Sequence, residues 1–110
     1  MTVGNMAEAL SFTACALPHP DREVTGAYCG DLLSWVMGRA NSGSAWITIM
    51  TSINAVAVAC LADVSCIVLA EGVAFSDKDL ETAKEKGVNV VSSPLPAYET
   101  AVAIARLLDK

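Results

Sequence analysis

Arg22, Asp31, Thr51, Asn54, Glu71 and Ser92 are the side chains here whose types could hold a small polar molecule, and five of them stand where an apolar run gives way to glycine or cap-type residues. A guanidinium such as Arg22 offers an anion a planar, two-pronged donor. The carboxylates of Asp31 and Glu71 accept from hydroxyl or amino groups, and Thr51, Ser92 and the Asn54 amide can both donate and accept. With Thr25, Gly26, Gly30 and Gly72 they form a set suited to hydrogen-bonding a small ligand, a nucleotide fragment among the possibilities. A plainer reading stands beside it: Asp31, Thr51 or Ser52, and Ser92 or Ser93 are residue types that cap helix N-termini, and Arg22 could pair with Asp21 or Glu23.

These residues make no catalytic machine. No G-x-x-x-x-G-K-[ST] phosphate loop occurs, since Gly38-Arg39-Ala40-Asn41-Ser42-Gly43-Ser44 has glycines without the lysine. The single histidine, His19, lies between Pro18 and Pro20, where it reads as a solvated loop residue, and no G-x-S-x-G elbow is present. The four cysteines, Cys15, Cys29, Cys60 and Cys66, include no C-x-x-C pair of the kind that presents two thiolates to one metal ion, and are read as structural thiols. The expectation is a chain that is not an enzyme, with no metal and no cofactor.

Composition narrows the partners. A net charge of −5 without any Lys/Arg cluster argues against nucleic acid, whose binding depends on neutralising phosphates. Asn54, Asp63 and Glu71 interrupt the richest apolar stretch below the ~20 residues a membrane span needs. The first residues lack a basic n-region and a long apolar core, so a cytoplasmic location is expected. Hydrophobic residues make up 54% of the chain and seven glycines add to them, above the ordinary ~45–50% for both together. Some apolar surface is therefore expected to meet another subunit, in a homodimer or higher homo-oligomer.

The elements that must position the candidate residues follow from hydrophobic period. Val3 to Leu10 has helical spacing and Phe12 to Leu17 is a short strand-like run, closed by Pro18-His19-Pro20. Glu23 to Cys29 reads as a strand, with Gly30-Asp31 turning into a helix that Asp31 would cap and that runs to Met37 or Ala40. Ala45 to Met50 and Ser65 to Ala70 are continuous apolar runs, the mark of strands buried on both faces. Between them Thr51-Ser52-Ile53-Asn54 opens an Ala/Val-rich helix to about Leu61. Ser76 starts a helix that Gly87 ends as a left-handed cap, Val88 to Val91 is a last strand, and Pro96 to Leu108 a last amphipathic helix.

Strand and helix alternate over the last three quarters. Residues 1–110 are thus expected to form a single α/β domain, three-layer-like, with a mainly parallel sheet and alternating helices. In such sheets ligands gather outside the carboxyl ends of the strands. Gly30-Asp31, Thr51–Asn54, Glu71-Gly72 and Ser92-Ser93 are expected to share that rim.

Asp21–Ser34 and Trp46–Ala59 resemble the DRTGG domain, with Arg22, Thr25, Gly26, Gly30, Asp31, Leu32, Leu33, Ser34, Trp46, Ile47, Thr48, Thr51 and Asn54 carrying the match. Gly87-Val88-Asn89-Val90-Val91-Ser92-Ser93-Pro94-Leu95 resembles the close of the N-terminal domain of HPr kinase/phosphorylase. The resemblance implies a regulatory or ligand-binding module, with a possible protein partner in signalling or redox regulation, and extends only to the non-catalytic part of that kinase. Ala27 stands where the family's second glycine is usual.

Overall fold

The computed structural model describes residues 1–109. In chain order the elements are α1 (Val3–Ala9), β1 (Thr13–Ala16), β2 (Gly26–Cys29), α2 (Leu33–Arg39), β3 (Ser44–Thr48), α3 (Ile53–Ala62), β4 (Cys66–Leu69), α4 (Asp77–Glu85), β5 (Val90–Ser92) and α5 (Ala97–Asp109). They form one five-stranded sheet in the order β1-β5-β4-β3-β2. β2 to β5 run parallel, while β1 joins antiparallel to β5 with a register shift between Ala14 and Ala16.

Burial explains why the strands read as unbroken apolar runs. β3 and β4 are covered on both faces, so neither can alternate apolar with polar residues. Trp46, Ile67, Leu69 and Val90 pack on one face with α2, α3 and α4, through Val36, Ala55, Val56, Ala59 and Ala83. On the other face Ala45, Ile47, Cys66, Val68 and Val91 meet α1 and α5, through Val3, Met6, Ala7 and Ile104. The alternation lies between two cores and not between core and water. Both resulting layers of helix, on either side of the sheet, match the expected three-layer α/β domain.

Local signals formed as their chemistry requires. Ser76 Oγ accepts from the Asp79 amide at 3.1 Å and so caps α4. Gly87 follows that helix at φ 73, the left-handed region in which a Cβ would be strained. Ala27 sits within β2 in register with Ala45, and positive φ outside glycine occurs at Ser11, Asp63 and Glu71 among the described residues. The alanine thus meets no left-handed requirement at that place.

Candidate functional site

β2, β3, β4 and β5 are parallel neighbours, so their carboxyl ends share one edge of the sheet. The register pairs Cys29 with Ile47, Thr48 with Leu69, and Leu69 with Ser92. Gly30, Asp31, Thr51, Asn54, Glu71, Gly72 and Ser92 all lie at this carboxyl rim or in the connections that leave it.

Asp31 is the best-held polar group there, and its role differs from the expected one. α2 begins one residue later, with Leu32 at the N-cap and no side-chain cap bond. The Asp31 carboxylate turns instead toward the end of β3, where Oδ1 accepts from Thr48 Oγ1 at 2.7 Å and from the Ile49 amide at 3.0 Å. Thr48 is buried, so its hydroxyl needs that acceptor, and it also accepts from the Met50 amide at 3.2 Å. One residue earlier, the Gly30 carbonyl accepts from Trp46 Nε1 at 2.8 Å and the Gly30 amide donates to the Ile47 carbonyl at 3.1 Å. The β2 exit is thereby tied to the core, with an exposed carboxylate fixed at its tip.

Glu71 and Gly72 form the next part of the rim, both left-handed at φ 61 and 69. Their amides donate to the Leu95 carbonyl at 2.8 Å and the Ser93 carbonyl at 2.9 Å, which ties the β4 exit to the β5 exit. A left-handed glutamate costs more than a glycine would, and such strain collects at functional loops. The Ser92 hydroxyl is engaged with the Val73 carbonyl at 3.5 Å. Ser93, fully buried, shares a 2.8 Å hydrogen bond with Thr100 and accepts from the Leu95 amide at 3.1 Å, so it shapes the entry to α5. Ser52 is the N-cap of α3 without a side-chain cap bond, which leaves Thr51, half-buried, and Asn54, exposed, beside it on the rim.

Arg22, Thr25 and Gly26 stand elsewhere. They precede or begin β2, at the amino end of the parallel strands and the far end of the sheet from Asp31. Arg22 does not pair with Asp21 or Glu23. Its Nη2 donates to the Asp63 carbonyl at 2.9 Å and lies 3.2 Å from Asp63 Oδ1. Asp63 closes α3 in the left-handed conformation, and a guanidinium there answers the free carbonyls of a helix C-terminus. Thr25 Oγ1 donates to the Ser42 carbonyl at 3.2 Å, the Thr25 amide to the Gly43 carbonyl at 3.0 Å, and the Gly43 amide to the Asp63 carbonyl at 2.9 Å. Gly43, at φ 84, has Thr25 Oγ1 2.5 Å from where a Cβ would stand, so the knot closes only around glycine. One small ligand cannot touch both this knot and the carboxyl rim.

The knot carries a pH signature. The hydrogen bond from Ser42 is the largest influence and, with the smaller help of the Arg22 charge and hydrogen bond, holds the Asp63 carboxyl below its ordinary value against the opposing desolvation. A depressed carboxylate stabilises the fold above its unfolded pKa of about 3.9, and that contribution fades as pH falls through the lower folded value. Denaturant titrations from pH 6 to pH 2 are expected to lose a small increment of stability at the acid end, which Asp63→Asn removes. Asp63 is exposed, so the increment stays within about 1 kcal/mol; an unchanged acid limb in the variant would refute the assignment.

Cys15, Cys29 and Cys66 are not activated thiols. Burial pushes Cys66 up to about 12 and raises Cys15, while burial and then the Asp31 charge raise Cys29. His19 is an exposed loop residue whose backbone is clamped by the Asn89 side chain through bonds of 2.9 and 2.8 Å. No group of three or more metal-ligating side chains occurs among the described residues, and no helix there is long and apolar enough to cross a membrane. Trp46 and Thr48 were missed by residue-type reasoning, because a strand tryptophan and a small strand hydroxyl look like ordinary packing.

The fold is shared with the CBS and DRTGG domains of the regulatory region of a Clostridium perfringens pyrophosphatase, whose crystal structure holds the activator diadenosine tetraphosphate. The TM-score is 0.70 at 16% identity, over 94% of this chain and 45% of that one. At that identity the likeness speaks for fold alone, and the chain spans less than half of the pyrophosphatase fragment. No curated protein matches the sequence. The DRTGG domain family model matches residues 36–107, from within α2 to within α5. Trp46–Asn54 and Gly87–Leu95 fall inside that match, and Asp21–Ser34 precedes it. With more than half of its length so matched, this chain belongs to the DRTGG domain family.

Proposed function

We propose that this chain is a non-enzymatic regulatory module that binds a small polar ligand, with nucleotides the first class to test, at the carboxyl rim, and acts through protein association. The observation that carries the reading is Asp31, an exposed carboxylate held rigid by a buried threonine and a backbone amide at the edge where α/β sheets take their ligands. Membership of a family of regulatory modules supports it, as does the nucleotide activator bound by the pyrophosphatase region of like fold. The rim set is Gly30, Asp31, Thr51, Asn54, Glu71, Gly72 and Ser92. Arg22, Thr25 and Gly26 belong to the knot at the opposite end. The cytoplasmic location, the kinship with HPr kinase and the signalling partner are parts of the same proposal.

Thermal unfolding with AMP, ATP and diadenosine tetraphosphate tests the ligand. A ligand at 100 times its Kd stabilises by about 2.7 kcal/mol, which raises the Tm of a domain this size by about 10 °C or more. No shift with any nucleotide or polar metabolite would leave the second reading, a scaffold without a ligand, which the exposed apolar side chains Leu32, Trp35, Ile53 and Leu61 favour.

A further inference from the structure

α3 carries no charged residue, and Asn54 in its first turn is its one polar side chain. Ala55, Val56 and Ala59 face the core. Ile53, Ala57, Cys60 and Leu61, spaced i, i+4, i+7 and i+8, form an exposed stripe on the opposite side, with Leu61 73% exposed. Exposed Met37 lies on α2, the helix packed beside α3. A helix apolar beyond its first turn belongs largely in an interior; this one has an interior on one side only.

Charge selects the occupant. The chain has a net charge of −5, so two copies repel unless they meet through surface without carboxylates. α1 carries Glu8, α4 carries four acidic residues and α5 carries Glu99 and Asp109, whereas α2 and α3 carry none. A basic partner would seek the acidic helices. An uncharged face of small and aliphatic residues is self-complementary across a two-fold axis, where Ala57 and Cys60 allow close helix approach. We infer that the α3 stripe, with Met37 beside it, is where two copies of this chain pack together. The inference builds on the regulatory reading by naming the partner and the face. α3 starts at the ligand rim, so a ligand held by Thr51 or Asn54 sits against the edge of this interface.

Sedimentation velocity and alkylation of the native thiols test it together. Wild-type chain is expected to be dimeric, and Leu61→Glu, which sets two like charges near the axis, monomeric with unchanged helical circular dichroism. Alkylation needs no variant. Cys60 is exposed in the single chain, so its labelling is expected to slow about tenfold when nine in ten chains are dimeric. Cys29, exposed on β2, should label at the same rate in dilute and concentrated samples. A wild type monomeric at every concentration overturns the inference, whether or not it captures some other protein. So does a dimer in which Cys60 labels independently of concentration. If Leu61→Glu fails to fold, the Cys60 labelling decides. A nucleotide-induced rise in Tm in a monomeric chain would sink this interface and keep the ligand reading, and a dimer without any such rise would do the reverse.

Discussion

Trp46→Ala is expected to lower the stability of this domain by about 3–5 kcal/mol, the usual cost of deleting a large aromatic side chain from a core. Domains of this kind have only about 5–15 kcal/mol in total, so the Tm should fall by about 15 °C or more. Trp46 is fully buried in β3, between Tyr28 of β2 and Ile67 of β4 in register, and packs under α2 and α3. Its second contribution is polar. The indole N–H is the side-chain donor to the Gly30 carbonyl, so the core residue also holds the β2 exit from which Asp31 projects. Trp46→Phe separates the two roles: it keeps most of the ring and leaves that carbonyl without its donor, for about 1–3 kcal/mol. Urea titrations with circular dichroism measure both. A Trp46→Ala domain melting within a few degrees of wild type would show that the central layer is not packed as described.

At Asp31 two substitutions should behave differently. Asn retains an Oδ1 able to accept from Thr48 Oγ1 and the Ile49 amide, so Asp31→Asn is expected to stay within about 1 kcal/mol of wild-type stability. Asp31→Ala leaves a buried hydroxyl without its acceptor and should cost about 1–3 kcal/mol. For ligand binding the order changes. Hydrogen bonds to a charged group contribute about 1.5–3 kcal/mol, so the neutral Asn should weaken a nucleotide found by thermal shift by about 10- to 100-fold. Calorimetric titration of both variants reads this directly. An Asp31→Asn protein that binds as tightly as wild type would remove Asp31 from the ligand's contacts and leave it only the task of closing β3.

Much of the architecture was legible because the signals are short-range. Ser76 and Gly87 mark α4 through hydrogen-bonding and φ requirements that act within a few residues. The apolar runs at Ala45–Met50 and Ser65–Ala70 announced doubly covered strands, although the strands themselves stop at Thr48 and Leu69. Asp31 shows where this reasoning ends. Its type and place suit a helix cap, but an acceptor goes to the donors that most need it, and here those are a buried threonine and an amide on the neighbouring strand. Arg22 was drawn in sequence to its neighbours Asp21 and Glu23, while folding brought it Asp63, 41 positions away.

The chain's own residues determined the kind of fold: the alternation of buried strand and helix, the caps that punctuate it, and the gathering of four strand ends on one rim, all of which follow from local propensity and the handedness of parallel crossovers. The tertiary structure alone decided which polar groups face that rim and which are consumed in holding the sheet together. A side chain's hydrogen-bonding type is local, but its partner is whichever unsatisfied group burial sets beside it. For that reason Asp31 and Arg22, close in sequence and alike in promise, ended at opposite ends of the molecule.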